Sequence, residues 1–289
     1  MARIVYVNGR YLPYSEAHVH CEDRGFLFGD AVYEVCPVIG GRIIDAEHHL
    51  VRLERSMREL AIQPPMSRAA LGHVLRETLR RSRVIDGSIY LQVSRGAAPR
   101  DFMFPSADTP RTVVAFARSQ PFEKGEAAAQ KGIPVISAPD QRWGRVDIKS
   151  VNLLAPVLAK EMARAANAKE TWLTDREGFV TEGASSNAWI ITKSGEIITR
   201  HADHGILRGV TRTVLLGFLS REMLRMTERP FTVAEAKAAA EAFVTSATNF
   251  VMPVVRIDDA VIGAGKPGPL TLKLRQLVVG AARPAAPAS

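Results

Sequence analysis

Cysteine is scarce in this chain of 289 residues, which contains only Cys21 and Cys36. Two thiols in a chain of this length do not make a disulfide framework, and their spacing matches no metal-binding motif. We therefore predict two reduced thiols, no metal site and a cytoplasmic location.

Long apolar runs are also lacking. No run approaches the length of a membrane span. The N-terminal sequence Met1-Ala2-Arg3-Ile4-Val5-Tyr6 enters a strand pattern without the apolar core of a signal peptide. We expect a protein that neither spans a membrane nor binds one.

A concentrated patch of one charge sign is missing as well. The chain has 38 basic and 30 acidic residues, a net charge of +8, and the basic residues are scattered. A nucleic-acid-binding protein would show a clustered basic face with aromatic stacking positions. Neither is visible, so we predict no nucleic-acid partner and keep a basic nucleic-acid-binding protein as the non-enzymatic alternative.

The composition that is present, 46% hydrophobic and 24% charged, is typical of a globular protein with one large or two medium domains. Strand patterns alternate with amphipathic helices, which predicts an α/β (α+β) fold. We predict a small N-terminal α/β domain at 1–118, a polar linker at 119–132, a larger C-terminal domain at 133–280 and a disordered tail at 281–289. Hairpin turns are expected at Asn8-Gly9 and Gly40-Gly41.

One lysine, Lys149, interrupts an apolar stretch. Residues typical of a buried helix face follow at helical spacing: Leu153, Leu154, Val157, Leu158 and Met162. An ammonium group in such surroundings loses hydration, which lowers its pKa. A lysine of this kind can attack a carbonyl and form a Schiff base. The alternative is a lysine whose apolar stem is covered while its charge reaches water.

Glu182 and three polar sites complete a candidate constellation. Glu182 ends a strand pattern, where a buried carboxylate needs a proton-bearing partner. Gly209-Val210-Thr211 precedes an amphipathic helix, whose first N–H groups could bind phosphate or could simply be capped. Ser246-Ala247 and Arg52 could also reach a phosphate. A lysine, a carboxylate and a phosphate cradle together describe a site for pyridoxal 5'-phosphate.

Five motifs then make a family resemblance visible. The sequence is similar to the class IV (fold type IV) pyridoxal-phosphate aminotransferases from about Tyr6 to Leu277, most of all to enzymes that act on D-amino acids. The motifs are Glu22-Asp23-Arg24-Gly25-Phe26-Leu27-Phe28-Gly29-Asp30, Val32-Tyr33-Glu34-Val35, Asp147-Ile148-Lys149-Ser150-Val151-Asn152-Leu153-Leu154, Val180-Thr181-Glu182-Gly183-Ala184-Ser185-Ser186-Asn187 and Val244-Thr245-Ser246. The resemblance implies two domains around a cofactor cleft and a homodimer.

The resemblance also implies a role for each candidate residue. Lys149 matches the Schiff-base lysine and proton shuttle, and Glu182 matches the partner of the pyridinium nitrogen. Leu207 matches the residue behind the cofactor ring. The matches to phosphate contacts are Arg52, Val210, Thr211, Ser246 and Ala247. The expected substrate contacts are Tyr33 and Arg100, which hold the carboxylate, together with Phe28 and Phe102. Arg100 would reach in from the partner subunit.

Phe102 departs from the pattern of the family. The best-known enzymes for D-amino acids place a histidine there, two residues after the arginine. We predict ping-pong transamination of D-amino acids, such as D-alanine or D-glutamate, with 2-oxoglutarate or pyruvate as acceptor. An (R)-amine transaminase is one alternative, because Phe102 makes the pocket more apolar. Branched-chain aminotransferases and aminodeoxychorismate lyases rank lower, given Arg100 and the Ser185-Ser186-Asn187 run.

Overall fold

The computed structural model describes residues 3–283. These residues form two compact units: residues 3–122 with Ile148–Asn152, and Glu123–Asp147 with Leu153–Arg283. The chain therefore returns to the first unit for a short segment that carries Lys149. The domain bounds expected from composition, 1–118 and 133–280, contain no such return and stay a prediction.

The first unit is built on an antiparallel sheet of six strands in the order β2-β1-β6-β5-β3-β4. Its strands are β1 (Ile4–Val7), β2 (Arg10–Pro13), β3 (Ala31–Ile39), β4 (Arg42–Ile43), β5 (Gly87–Ser94) and β6 (Thr112–Ser119). Its helices are α1 (Arg24–Phe28), α2 (Ala46–Glu59), α3 (Arg68–Ser82) and a short 3-10 helix at Tyr14–Glu16. Both expected hairpins are confirmed. Asn8 and Gly9 join β1 to β2 with φ of 45° and 92°, the left-handed conformation that a two-residue hairpin turn requires.

The core of the first unit lies where α2 and α3 pack on the sheet. The apolar stripe of α2 is buried, with Leu53 and Met57 almost inaccessible to water. The stripe of α3 is buried too, and the Oγ of Ser67 caps that helix by accepting from Ala70 N at 3.3 Å. Ile148 of the returning segment belongs to the same core.

The second unit is built on a mixed sheet of nine strands. Eight follow the order β12-β11-β10-β13-β14-β7-β8-β9, and β15 pairs with β14. The strands are β7 (Ile133–Pro139), β8 (Glu170–Thr174), β9 (Val180–Gly183), β10 (Asn187–Ile191), β11 (Ile197–Thr199), β12 (Met226–Glu228), β13 (Glu241–Ser246), β14 (Phe250–Ile257) and β15 (Ala260–Val261). The helices are α4 (Phe122–Lys131), α5 (Leu154–Ala165), α6 (Val210–Arg221), α7 (Val233–Lys237) and α8 (Pro269–Ala282). The mixed α+β class is as predicted.

Two stretches differ from their expected local structure. The segment 119–132, polar enough to be expected as a linker, contains α4, which buries Ala129 completely. Of the expected tail 281–289, Ala281 and Ala282 belong to α8. The remainder beyond Arg283 lies outside the described residues.

The expectation for the helix after Lys149 is wrong about its buried face. Side chains of α5 that favour burial are exposed: Leu154 by 72%, Val157 by 53%, and Leu158 and Met162 by 51% each. The helix instead packs through Ala159 and Ala163, and Ala159 contacts Leu173 of β8. Small side chains allow a close approach to the sheet, so the large ones lie on the opposite side. None of the helices within residues 3–283 combines the length and the apolar composition needed to cross a membrane.

Candidate active site

The backbone around Lys149 is fixed on both sides in the first unit. Tyr33 N donates to the carbonyl oxygen of Lys149 at 3.0 Å, and Lys149 N donates to the Oγ of Ser56 at 3.2 Å. Val32 and Ser150 form an isolated antiparallel bridge, so the segment is held against β3 at this point. The lysine therefore projects from a rigid support, which a group that must reach a defined atom requires.

The Lys149 side chain lies over an aromatic ring. Its Nζ is 4.2 Å from the ring centroid of Tyr33, a cation–π distance. Tyr33 itself stacks on Tyr90, with ring centroids 5.7 Å apart. The structure thus brings together the predicted Schiff-base lysine and one of the two residues predicted to hold the substrate carboxylate.

Arg52 belongs to a buried charged cluster beside Tyr33. Its Nε and one terminal nitrogen donate to the two carboxylate oxygens of Glu34 at 2.8 and 2.7 Å. His49 Nδ1 lies 2.6 Å from the same carboxylate. Burial alone raises the pKa of Glu34, but the charge and hydrogen bonds of Arg52, together with His49, more than offset it and hold the pKa at about 2. Glu34 therefore orients Arg52, the predicted phosphate ligand.

Replacing Glu34 should cost stability in a pH-dependent way. Glu34→Gln leaves Arg52 partly buried without the charge of Glu34. This loss should lower the free energy of unfolding by about 3–5 kcal/mol at pH 7. The folded pKa of about 2 lies below the ordinary value of 4.5. The carboxylate's contribution is therefore complete above about pH 5 and is lost as the pH falls from 4.5 toward 2. Urea unfolding of the wild type and of Glu34→Gln should show that the difference in their free energies of unfolding becomes smaller as the pH falls from about 7 to about 3.

Glu77→Gln is the matched control for this experiment. Hydrogen bonds from Arg80 and Arg81 also hold the pKa of Glu77 at about 2, but the two arginines of this cluster are exposed. Because solvent screens exposed ion pairs, the control should lose much less stability. Equal losses of stability in the two variants would contradict a stabilising role of the buried Glu34 carboxylate.

Arg100, Phe28 and Phe102 form a second cluster of the first unit. The Cζ of Arg100 lies 5.4 Å from the ring centroid of Phe28 and 5.6 Å from that of Phe102. The two phenylalanine rings are themselves 5.7 Å apart. Phe102 is 80% exposed. These three predicted substrate contacts are thus adjacent: Arg100 and Phe102 lie on a loop exposed to solvent, and Phe28 is the last residue of α1.

Glu182 lies in β9 of the second unit, where it is buried. Its Oε1 accepts from Arg142 and, at 3.0 Å, from the N–H of Leu207. Its Oε2 accepts from the Nδ2 of Asn187 at 2.8 Å. Burial raises the pKa of Glu182, and Arg142 opposes that rise. Within residues 3–283, Oε2 accepts one hydrogen bond, and a carboxylate oxygen has room for a second.

Arg142 and Asn187 are the site residues whose roles the sequence did not indicate. Asp140 holds the Arg142 guanidinium through contacts of 2.9 and 2.7 Å. Thr181 donates to Asp140 at 2.9 Å, which ties this cluster to the strand of Glu182. The available signal was general: a buried carboxylate needs a donor, and Arg142 precedes the lysine stretch without an obvious structural task.

The start of α6 lies next to Asn187. Asn187 Nδ2 also donates to the carbonyl oxygen of Leu207 at 2.8 Å. A Cβ on Gly209 would lie 2.2 Å from Asn187 Oδ1, so the close approach requires glycine there. Gly209 is the N-cap residue of α6 and has no side chain that could cap the helix, so the first N–H groups of α6, at Val210 and Thr211, are suited to an anion.

Ser246 and Ala247 lie at the same edge of the sheet. Asn187 pairs with Thr245 in the register of β10 and β13, and Ser246 follows as the last residue of β13. The second unit therefore places the buried carboxylate of Glu182, the start of α6 and the end of β13 near one asparagine, Asn187. A pyridine nitrogen and a phosphate are the groups that this donor set fits.

Comparisons with known proteins agree with this chemistry. Residues 31–257 match the model of the amino-transferase class IV family. D-alanine aminotransferase of Bacillus licheniformis is 41% identical over 267 residues, which cover 92% of this chain and 93% of the relative. D-alanine aminotransferase of Listeria monocytogenes is 37% identical over 276 residues, which cover 95% and 94%. A T.th. branched-chain amino acid aminotransferase with pyridoxamine 5'-phosphate has a TM-score of 0.88 at 26% identity, covering 98% and 96% of the two chains.

Fold and site together define a pyridoxal-phosphate-dependent aminotransferase of fold type IV. The chain belongs to the amino-transferase class IV family. The resemblance inferred from the five motifs is thereby confirmed, as is the expected cofactor. The role of each site residue stays a prediction.

Proposed function

We propose that this enzyme moves the amino group of a D-amino acid, such as D-alanine or D-glutamate, to a 2-oxo acid such as 2-oxoglutarate or pyruvate. The observation that carries the proposal is the match to relatives named D-alanine aminotransferase over more than nine tenths of both chains. The exposed Arg100 supports it, because a planar guanidinium binds a carboxylate through two hydrogen bonds.

The chemistry divides between the cofactor and the chain. Pyridoxal phosphate supplies, when bound, a ring that draws electrons from the substrate's Cα. Lys149 would hold the cofactor through its amine, and the freed amine would remove the substrate's α-proton as a general base and later return it. The fixed backbone of Lys149 keeps this amine in a defined position. Tyr33 and Arg100 orient the substrate carboxylate.

Glu182 would hold a proton at the pyridine nitrogen through the remaining acceptor site of Oε2. Arg142 and the N–H of Leu207 stabilise the Glu182 carboxylate at Oε1. Leu207 would pack against the cofactor ring. Arg52, the backbone of Val210 and Ala247 and the hydroxyls of Thr211 and Ser246 would hold the phosphate.

The proposal includes a homodimer in which each subunit completes the other's site. The exposed apolar face of α5, formed by Leu154, Val157, Leu158 and Met162, is a surface that a second copy would cover. Arg100 lies on an exposed loop, consistent with reaching a partner. The molecular mass in solution tests this, and a stable monomer with full activity would contradict it. Because both cysteines are free thiols, we also place the enzyme in the cytoplasm.

A steady-state panel of D-amino acids, L-amino acids and (R)-amines tests the function. D-alanine or another D-amino acid should give the highest kcat/KM. The likeness to the T.th. branched-chain enzyme supports a second candidate function, transamination of branched-chain amino acids. Faster turnover of L-leucine or L-valine than of any D-amino acid would favour that candidate and overturn the proposal.

Phe102 sets a further expectation for this panel. Phe102 is 80% exposed and offers no hydrogen bond to a carboxylate. The site should therefore also accept a simple (R)-amine such as (R)-1-phenylethylamine, which has no carboxylate, although more slowly than a D-amino acid. A histidine there would add a donor worth roughly 1–3 kcal/mol when charge-assisted. Phe102→His should therefore shift the kcat/KM ratio toward D-alanine by roughly tenfold. An unchanged ratio, or no amine turnover by the wild type, would contradict relaxed selectivity.

A further inference from the structure

The loop that carries Arg100, residues 95–104, is attached to the segment 22–30 along its first part. Arg24 N donates to the carbonyl oxygen of Gly96 at 2.9 Å. Arg95 N donates to the carbonyl oxygen of Asp30 at 3.2 Å. Asp23 and Ala97 form an isolated antiparallel bridge. The beginning of the loop is therefore held as firmly as a strand, whereas residues 100–104 are exposed.

The Arg24 guanidinium holds the exposed part of the same loop. Arg24 is only 3% exposed, and its Nε donates to Asp30 Oδ2 at 2.8 Å. One terminal nitrogen donates to the carbonyl oxygens of Asp101 at 2.7 Å and Met103 at 3.3 Å. These two carbonyls flank Phe102, so a single buried side chain fixes the backbone on both sides of it.

Arg95 shares the same carboxylate. Its Nε donates to Asp30 Oδ2 at 2.7 Å, and its Cζ lies 3.7 Å from the ring centroid of Phe104. It also donates to the carbonyl oxygens of Leu60 at 2.6 Å and Ala61 at 2.9 Å. Asp30 thus joins two buried arginines. Arg24 binds carbonyl oxygens of the loop, and Arg95 lies against the ring of Phe104.

Phe28 transmits the position of Arg24 to the functional side chains. The Cζ of Arg24 lies 4.6 Å from the Phe28 ring centroid, and Arg100 packs on the same ring. Phe102 contacts that ring as well. The Arg24 guanidinium consequently determines where both the cationic and the apolar side chain of the loop can lie.

We propose that Arg24, Asp30 and Arg95 form a positioning node that presents Arg100 and Phe102 to the substrate carboxylate. This inference rests on the proposed function, because it needs an amino acid as substrate. Ordering the loop in advance removes the entropic cost of arranging it at each binding event. The node acts on substrate binding, and Lys149 and Glu182 continue to carry the proton transfers.

Arg24→Lys tests the node. A lysine keeps the charge but has one compact ammonium group, which cannot span Asp30 and two carbonyls as a guanidinium does. Arg111→Lys is the matched control, since Arg111 also donates to loop carbonyls, at Ala107 and at Gln63, outside residues 100–104. Two quantities are measured for each protein: hydrogen exchange of the backbone amides of residues 100–104, and KM and kcat for the best amino-acid donor of the panel.

The expected result is a selective loss of binding. Arg24→Lys should raise exchange at residues 100–104 and raise KM about tenfold, while kcat changes less than about threefold. The visible absorbance of the bound cofactor should be unchanged. Arg111→Lys should leave both KM and the exchange at residues 100–104 at their wild-type values.

Other outcomes overturn the proposal. If Arg24→Lys keeps the wild-type hydrogen exchange and the wild-type KM, the proposed positioning node is wrong. An equal rise of KM in the Arg111→Lys control would contradict it as well. Should Arg24→Lys not fold, Phe104→Ala removes only the exposed ring on Arg95 and must raise KM in the same direction, and a wild-type KM there would also remove the node. Failure of the proposed function appears elsewhere, in the wild-type donor panel, so the two failures are distinguishable.

Discussion

Lys149→Ala should abolish transamination and the visible absorbance band of the bound cofactor. On the proposed roles of Lys149, the variant would lose a general base worth about 10²–10⁴-fold and the covalent hold on the cofactor, so turnover should fall by about 10⁴-fold or more. The reason for this expectation lies in the support of the side chain. Its backbone is bonded to Tyr33 and Ser56, and no neighbouring lysine can take its place on that rigid segment.

The measurement is the absorbance spectrum before and after borohydride reduction, together with turnover of D-alanine. Lys193→Ala is a suitable control, because Lys193 lies in the turn between β10 and β11 and is not one of the predicted site residues. The control should keep the band and the activity. A Lys149→Ala protein that retains a band bleached by borohydride would show that another amine holds the cofactor.

Glu182→Gln should leave the cofactor bound but slow the half-reaction by about 10²-fold or more, the size of a general acid–base effect. A neutral amide cannot stabilise a pyridinium proton as an ion pair does. The surroundings increase the effect, since Glu182 is buried and Arg142 would then lose one of its carboxylate partners. Stopped-flow mixing of the holoenzyme with D-alanine measures this rate directly.

Glu241→Gln is the matched control for that change. Its carboxylate accepts from the backbone N–H groups of Leu270 and Thr271 at the start of α8 and has no role in the proposed chemistry. The control should react at the wild-type rate. A wild-type half-reaction in Glu182→Gln would remove Glu182 from the mechanism.

Local features of this fold could be predicted because they depend on neighbouring residues. The Asn8-Gly9 hairpin follows from turn chemistry, and the Ser67 cap follows from the first turn of α3. Lys149 and Glu182 could be found because each is a charge in an apolar context. The resemblance then assigned their roles through motifs that extend over most of the chain.

What could not be predicted depends on residues that are far apart in the sequence. An apolar helical stripe shows that a surface avoids water, but it does not show what covers it, and α5 turns its alanines to the sheet instead. Arg142 and Asn187 reach Glu182 from other loops and strands, so no spacing links them. The shared carboxylate of Asp30 likewise joins arginines far apart in sequence.

The returning segment Ile148–Asn152 has a consequence for the order of folding during synthesis. Ile148 lies in the same core as Val32 and Leu53, yet it is synthesised after Glu123–Asp147. A nascent chain that ends at Phe122 has all six strands of the first sheet but lacks this core residue and the bridge from Val32 to Ser150. Domains usually complete their folding from the N-terminus as they leave the ribosome. Here the first unit is finished only after part of the second has been made, so the lysine that we propose holds the cofactor is itself the late addition.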